Sequence, residues 1–188
     1  SFVMLLVFCE ARSQDIQTTI DSLEGKLKTS ISQGQKIEIL LQLTKATKNI
    51  YPETAIEYAK EAFKLAEHEN FNKLQIRAMN EIGWILASQT MIDPSLRITF
   101  RALMLAEKYK LEREKGMAYL VIGINHNYLG DFEESLNDFF TALVIFVRLN
   151  DQEDEVLSLN SIGAYCLQQG NVEKASIYFN NALAKARS

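Results

Sequence analysis

The sequence predicts an all-α chain of antiparallel helix pairs stacked side by side, and three observations lead there. Of 188 residues, 47% are apolar and 23% charged, with only 8 Gly and 2 Pro. That is too much apolar side chain for disorder and too few breakers for a sandwich of short strands. An Ile-Gly pair recurs at Ile82-Gly83, Ile122-Gly123 and Ile162-Gly163, at one constant interval, and such a fixed period marks a repeat architecture. Within one period apolar residues follow helical spacing twice: Met79, Ile82, Gly83 and Leu86, then Leu96, Phe100, Leu103 and Ala106.

Taken in order, residues 2–9 form an unbroken apolar run of eight, far short of the roughly 20 needed to span a bilayer as a helix. Residues 1–13 read either as the remnant of a secretory signal, with cleavage after Ala11-Arg12-Ser13, or as an apolar arm packed on the domain or on a neighbour. Residues 14–32 follow as an N-terminal capping helix, with Ile16, Ile20, Leu23 and Leu27 on one face. Four hairpins then fill residues 33–188, at about 33–71, 72–111, 112–151 and 152–188. The first copy is degenerate, with Leu43 at the glycine position. The last ends without a polar cap, so the chain is expected to continue past Ser188.

The turns carry their own signals. Asp93-Pro94 places a capping residue before a proline suited to a first turn. Gly130-Asp131 and Gly170-Asn171 put a helix-ending glycine before a cap, and Asp131 with Glu134 forms a capping-box-like pair. A glycine inside a helix costs about 1 kcal/mol relative to alanine, so Gly83, Gly123 and Gly163 imply close helix packing. The small residues Ser95, Ser135, Ala175, Ala102, Ala142 and Ala182 are the expected facing partners. Gly25, Gly34 and Gly116 are expected near helix boundaries.

This register resembles the tetratricopeptide repeat (TPR) over residues 33–187: an Ile/Leu-Gly pair in the first helix, then residues such as Ser135, Phe139 and Ala142, or Ala175, Phe179 and Ala182, in the second. The aromatic usual three residues after the glycine is replaced by Leu86, His126 and Cys166. The resemblance implies a right-handed superhelical TPR solenoid of antiparallel helix pairs. The family's usual period is about 34 residues, and the surplus falls after Ala62, Ala102 and Ala142. Each second helix would then be longer by about 9 Å. Variants with a period of about 40 residues are similar to arrays of bacterial signalling proteins, exported or membrane-tethered ahead of kinase or regulator modules.

Composition also limits chemistry. Lys plus Arg number 20 against 24 Asp plus Glu, a net charge of -4, and no basic stripe invites nucleic acid. Cys9 and Cys166 cannot build a disulfide framework. His68 and His126 lack the spacing of a zinc site. His126 shares its repeat column with Cys166, Ala46 and Leu86, which favours packing over metal binding. Glu57, Glu61, Glu67, Glu69, Glu133, Glu134 and Asp138 read as solvated faces rather than acid-base pairs. Neither cofactor, metal nor catalysis is expected.

What remains is surface. At ~100° per residue, the first-helix faces turned away from their partners carry Thr44, Thr47, Lys48, Arg77, Asn80, Trp84, Ala87, Ser88, Met117, Leu120, Ile124, Asn127, Tyr128, Leu157, Asn160, Ala164 and Gln168. Thirteen of these form the expected partner-binding groove: Lys48, Arg77, Asn80, Trp84, Ser88, Met117, Leu120, Ile124, Asn127, Tyr128, Asn160, Ala164 and Gln168. Large apolar groups among amides suit an extended peptide or a helix. With Lys48 and Arg77 as its only cations, the face does not resemble the family's carboxylate clamp. The reading is a noncatalytic protein-interaction module, extracytoplasmic, with a homodimer through the repeat ends or the arm as a further expectation. The alternative is a sensory or dimerisation region of a longer signalling protein.

Overall fold

The computed structural model describes residues 16–29 and 32–187, and every described element is helical. The signal or arm reading of residues 1–13 lies outside the described residues. In order the helices are α1 (residues 16–28), α2 (Gln33–Thr47), α3 (Pro52–His68), α4 (Asn72–Ser88), α5 (Ile92–Lys108), α6 (Glu112–Leu129), α7 (Phe132–Leu149), α8 (Gln152–Gln168) and α9 (Val172–Arg187). No helix among the described residues is long and apolar enough to cross a membrane. The chain divides into two compact units, one ending at Ile85 and one starting at Leu86.

In the first unit α2 and α3 pack closely because α3 turns a stripe of alanines inward. Ala55, Ala59, Ala62 and Ala66 are all fully buried, at the spacing of one helix face. They let the α3 backbone approach Ile37, Leu40 and Leu41 of α2, and Ala78 of α4 joins the same cluster. Helix α1 covers the other side, with Ile20 and Leu23 buried against Leu43. Its polar anchor is the Tyr58 hydroxyl, which donates to Glu24 Oε1 at 2.7 Å. Burial, then the bond to Glu24, push that phenol up to about 12. Ser32 starts α2 with a capping box: its Oγ accepts from the Gln35 N–H at 3.2 Å while the Gln35 side chain accepts from the Ser32 N–H at 3.3 Å.

In the second unit consecutive helices pack in chain order from α5 to α9, and α6 also meets α8. Here the glycine register governs the hairpins. A Cβ at Gly123 would stand 2.8 Å from the Phe139 ring, and one at Gly163 would stand 2.7 Å from the Phe179 ring. The glycines therefore admit aromatic rings. That revises the expected partners: the small residues lie beside the approach, and Ser135 Oγ donates to the Gly123 carbonyl at 2.8 Å. Gly116, expected at a boundary, lies inside α6, where a Cβ would meet Phe146 at 2.8 Å. First and second helices are of similar length: α2 and α3 have 15 and 17 residues, α4 and α5 both have 17, α6 and α7 both have 18, and α8 and α9 have 17 and 16.

One turn design joins these helices. Positive φ occurs at Asn70, Thr90, Lys110, Gly130, Asn150 and Gly170, evenly spaced at half the repeat period. At each, the preceding helix closes with the same pair of backbone bonds, for example Thr90 N–H to Ala87 O and Met91 N–H to Leu86 O, both at 2.9 Å. This is the Schellman end, which caps orphan carbonyls through one left-handed residue. Thr90 and Lys110 hold that conformation against the roughly 1–2 kcal/mol a side chain costs there. Asn171 caps α9, its Oδ1 accepting from the Lys174 N–H at 3.0 Å. Two expected caps are absent. Helix α5 begins after Met91, which puts Asp93 inside the first turn. Asp131, at φ -81° and ψ 70°, makes no side-chain cap bond, so no capping box forms with Glu134; Ser32, which does cap, is fully extended at φ -121° and ψ 152°.

Candidate protein-interaction surface

In the first unit the expected groove residues are largely engaged with one another's helices. Arg77 Nη1 donates to both carboxylate oxygens of Glu38, at 2.8 and 2.9 Å, tying α4 to α2. Lys48 Nζ bonds Glu81 at 2.8 Å and lies 4.8 Å from the centre of the Trp84 ring. The two cations thus carry local counter-charges, and Trp84 supports Lys48 as a cation–π partner. Asn80 is buried, which removes it from an open lining. Thr44 and Thr47 are buried too, their hydroxyls donating to the Leu40 and Leu43 carbonyls at 2.8 and 2.7 Å.

The second unit keeps a more open face on α6 and α8. Tyr128, Asn160, Ala164 and Gln168 are exposed there, and Ile124 and Asn127 are half-buried; Ser88, exposed as well, ends α4 instead. Asn127 Nδ2 donates to Gln168 Oε1 at 2.7 Å, joining the two first helices. That leaves Asn127 Oδ1 shielded from solvent and without a hydrogen-bond partner. Leu120 and Met117 do not belong to this lining. Both are buried, because α6 is enclosed by α5, α7 and α8 and its apolar residues fill the packing between them.

Charge was harder to place from sequence. Arg113 bridges α6 to the start of α8, with Nε 2.9 Å from Asp151 Oδ2 and Nη2 2.6 Å from Asp154 Oδ2. Burial alone would lower its titration; Asp154, Asp151 and Glu114 outweigh that and raise it. Asp138, expected on a solvated face, is buried and bonds His126 Nδ1 at 2.7 Å across the α6–α7 hairpin. Burial raises its carboxyl above the ordinary range, partly offset by His126 and reinforced by Glu134. Cys166 is a buried free thiol. Among the described residues no cluster of three metal-ligating side chains occurs. Helical periodicity carried no signal for an open cleft of about 360 Å³ between α6 and α7, lined by Lys115, Tyr119, Phe140, Val144 and Arg148 among others.

No protein-family model and no curated protein sequence matches the chain. Solved structures do. A Rap protein complexed with competence and sporulation factor superposes with TM-score 0.78 at 21% identity, over 96% of this chain and 52% of that one. Aspartyl phosphate phosphatase F from Bacillus subtilis follows at TM-score 0.67 and 16% identity, over 92% of this chain and 49% of that one. A putative kinesin light chain of Podosopora anserina with nearly identical TPR-like repeats matches at TM-score 0.58 and 12% identity, over 94% and 91% of the two chains. The fold is TPR-like. At these identities the likeness concerns the fold, and the chain spans about half the length of the first two structures. Within this TPR-like fold the antiparallel pairs are α2–α3, α6–α7 and α8–α9, each packed within its own unit.

Proposed function

We propose that the chain is a noncatalytic interaction module that holds an extended peptide or a helix against exposed faces of its first helices. One observation carries this reading: the open face of α6 and α8, where exposed Tyr128, Asn160, Ala164 and Gln168 lie together with half-buried Ile124 and Asn127. The exposed amides of Asn160 and Gln168 can bond a ligand's backbone while its apolar side chains cover Tyr128 and Ala164. The Rap protein complexed with competence and sporulation factor gives a precedent for a bound partner on this fold. A photoreactive phenylalanine analogue at position 128 or 164 is expected to crosslink one discrete partner in the native host. The same analogue at the exposed Lys60 of α3 is expected to give none. Equal labelling from all three positions would refute the assignment.

The regular spacing of the Ile-Gly pairs, about 40 residues, supports a place among arrays of bacterial signalling proteins. The second reading, from the sequence alone, is a sensory or dimerisation region of a longer regulator. The gene's full domain order tests that reading. Extracytoplasmic location rests on the apolar run at residues 2–9; N-terminal sequencing of the native protein, with an intact Phe2, would sink it.

A further inference from the structure

Besides the face of α6 and α8, the second unit carries another open surface, on its second helices α5 and α7. Phe100 and Met104 of α5 occupy the same repeat positions as Phe140 and Val144 of α7. All four are exposed, Met104 at 71% and Val144 at 54%. Within each helix the two are one turn apart, so both side chains stand on one face. The same positions hold Lys60 and Lys64 in α3 and Asn180 and Ala184 in α9, all exposed. Hairpin packing therefore makes no use of a large apolar group there. Four such groups, on two second helices that both pack on α6, mark a surface suited to being covered.

Shape and charge select the occupant. Phe140 and Val144 line the open cleft of about 360 Å³ between α6 and α7, together with Tyr119 and Arg148. Tyr178 of α9 meets the Phe140 ring edge-on, with centroids 6.4 Å apart. A concavity of this kind admits protruding side chains, whereas a flat bilayer surface cannot fill it. The exposed charges beside the four apolar residues are cationic: Arg97, Arg101 and Lys108 on α5, and Arg148 on α7. The acids are placed elsewhere or already met. Glu107 lies 3.6 Å from Lys115, Asp93, Glu133 and Glu134 sit in the first turns of α5 and α7, and Glu112 alone lines the cleft. In a chain of net charge -4, this is a local reversal of sign. We propose that the outer faces of α5 and α7 dock an acidic amphipathic helix of a partner protein. Its apolar side chains enter the α6–α7 cleft, and its carboxylates meet Arg97, Arg101, Lys108 and Arg148. The site is separate from the α6–α8 face, so either can fail without the other.

Selection from a phage-displayed library of helical peptides, each about 16 residues long, against the 188-residue chain tests this. Enriched peptides are expected to carry one apolar stripe at helical spacing, flanked by Asp or Glu. Such a peptide, labelled with fluorescein, is expected to bind about tenfold more weakly to Met104→Asp or Val144→Asp at unchanged helicity. Lys60→Glu with Lys64→Glu, on α3, is expected to change its affinity less than about twofold. Arg97→Glu with Arg148→Glu is expected to prefer the same peptide with Lys in place of its acids, a gain that misfolding cannot mimic. Enrichment of no peptide, or of basic or uncharged ones, overturns the proposal. So does an acidic peptide whose binding ignores Met104→Asp and Val144→Asp. Vesicles of phosphatidylserine and phosphatidylcholine are expected to bind no better than phosphatidylcholine alone; stronger binding that these variants abolish assigns the surface to lipid and overturns the proposal too.

Discussion

The α6–α7 and α8–α9 hairpins are the same motif one period apart, and they differ in what lies on top. Both place a first-helix glycine against a second-helix Phe: Gly123 against Phe139, Gly163 against Phe179. Phe139 is 2% exposed beneath Tyr165, whereas Phe179 is 37% exposed. The repeat code therefore specifies the geometry of a pair, while the stability drawn from that geometry depends on the helix that follows.

The largest expected effect is on the aromatic itself. Phe139→Ala removes a ring enclosed on all sides and should cost about 4 kcal/mol. Phe179→Ala removes one already partly hydrated and should cost about 1–2 kcal/mol. Chemical denaturation followed by circular dichroism measures both; equal losses would break the comparison.

A smaller, pH-dependent difference separates His126 and Asp138 from their equivalents, Cys166 and Tyr178. His126→Ala strands a buried carboxylate and should cost about 2–3 kcal/mol at neutral pH. Asp138 titrates above its unfolded value because it is buried. The stability it contributes is thus full below the unfolded value and lost as pH rises through the folded one. The His126→Ala penalty should shrink as pH falls through that raised range, and adding Asp138→Asn should recover most of it at neutral pH. Denaturation at several pH values checks this; a penalty that does not vary with pH would assign it to packing alone. Cys166→Ala should show no such pH dependence.

Which parts of this were legible beforehand follows from local signal. The helix pairs and the close glycines could be read because period and residue type coincide, and Gly130 and Gly170 marked their turns for the same reason. Asn70, Thr90, Lys110 and Asn150 adopt the same left-handed turn without glycine, so only their even spacing betrays them. Asp138 escaped notice because a carboxylate on a helix reads as solvated until its partner, one helix earlier in the chain, is brought beside it. The groove was read as a set of helix faces, and Asn80, Met117 and Leu120 on those faces are buried. Arg77 and Lys48 are held there by Glu38 and Glu81 on neighbouring helices, pairings that one helix's periodicity cannot show.

The central claim is that glycine occupies its repeat position to admit the ring of the second helix, and a double-mutant cycle on Gly123 and Phe139 tests it most directly. Gly123→Ala should cost about 2 kcal/mol in the native background, where the Phe139 ring has no room to yield. In the Phe139→Ala background the same change should be neutral or stabilise by up to about 1 kcal/mol, as helix propensity takes over. Equal costs in the two backgrounds would contradict the account.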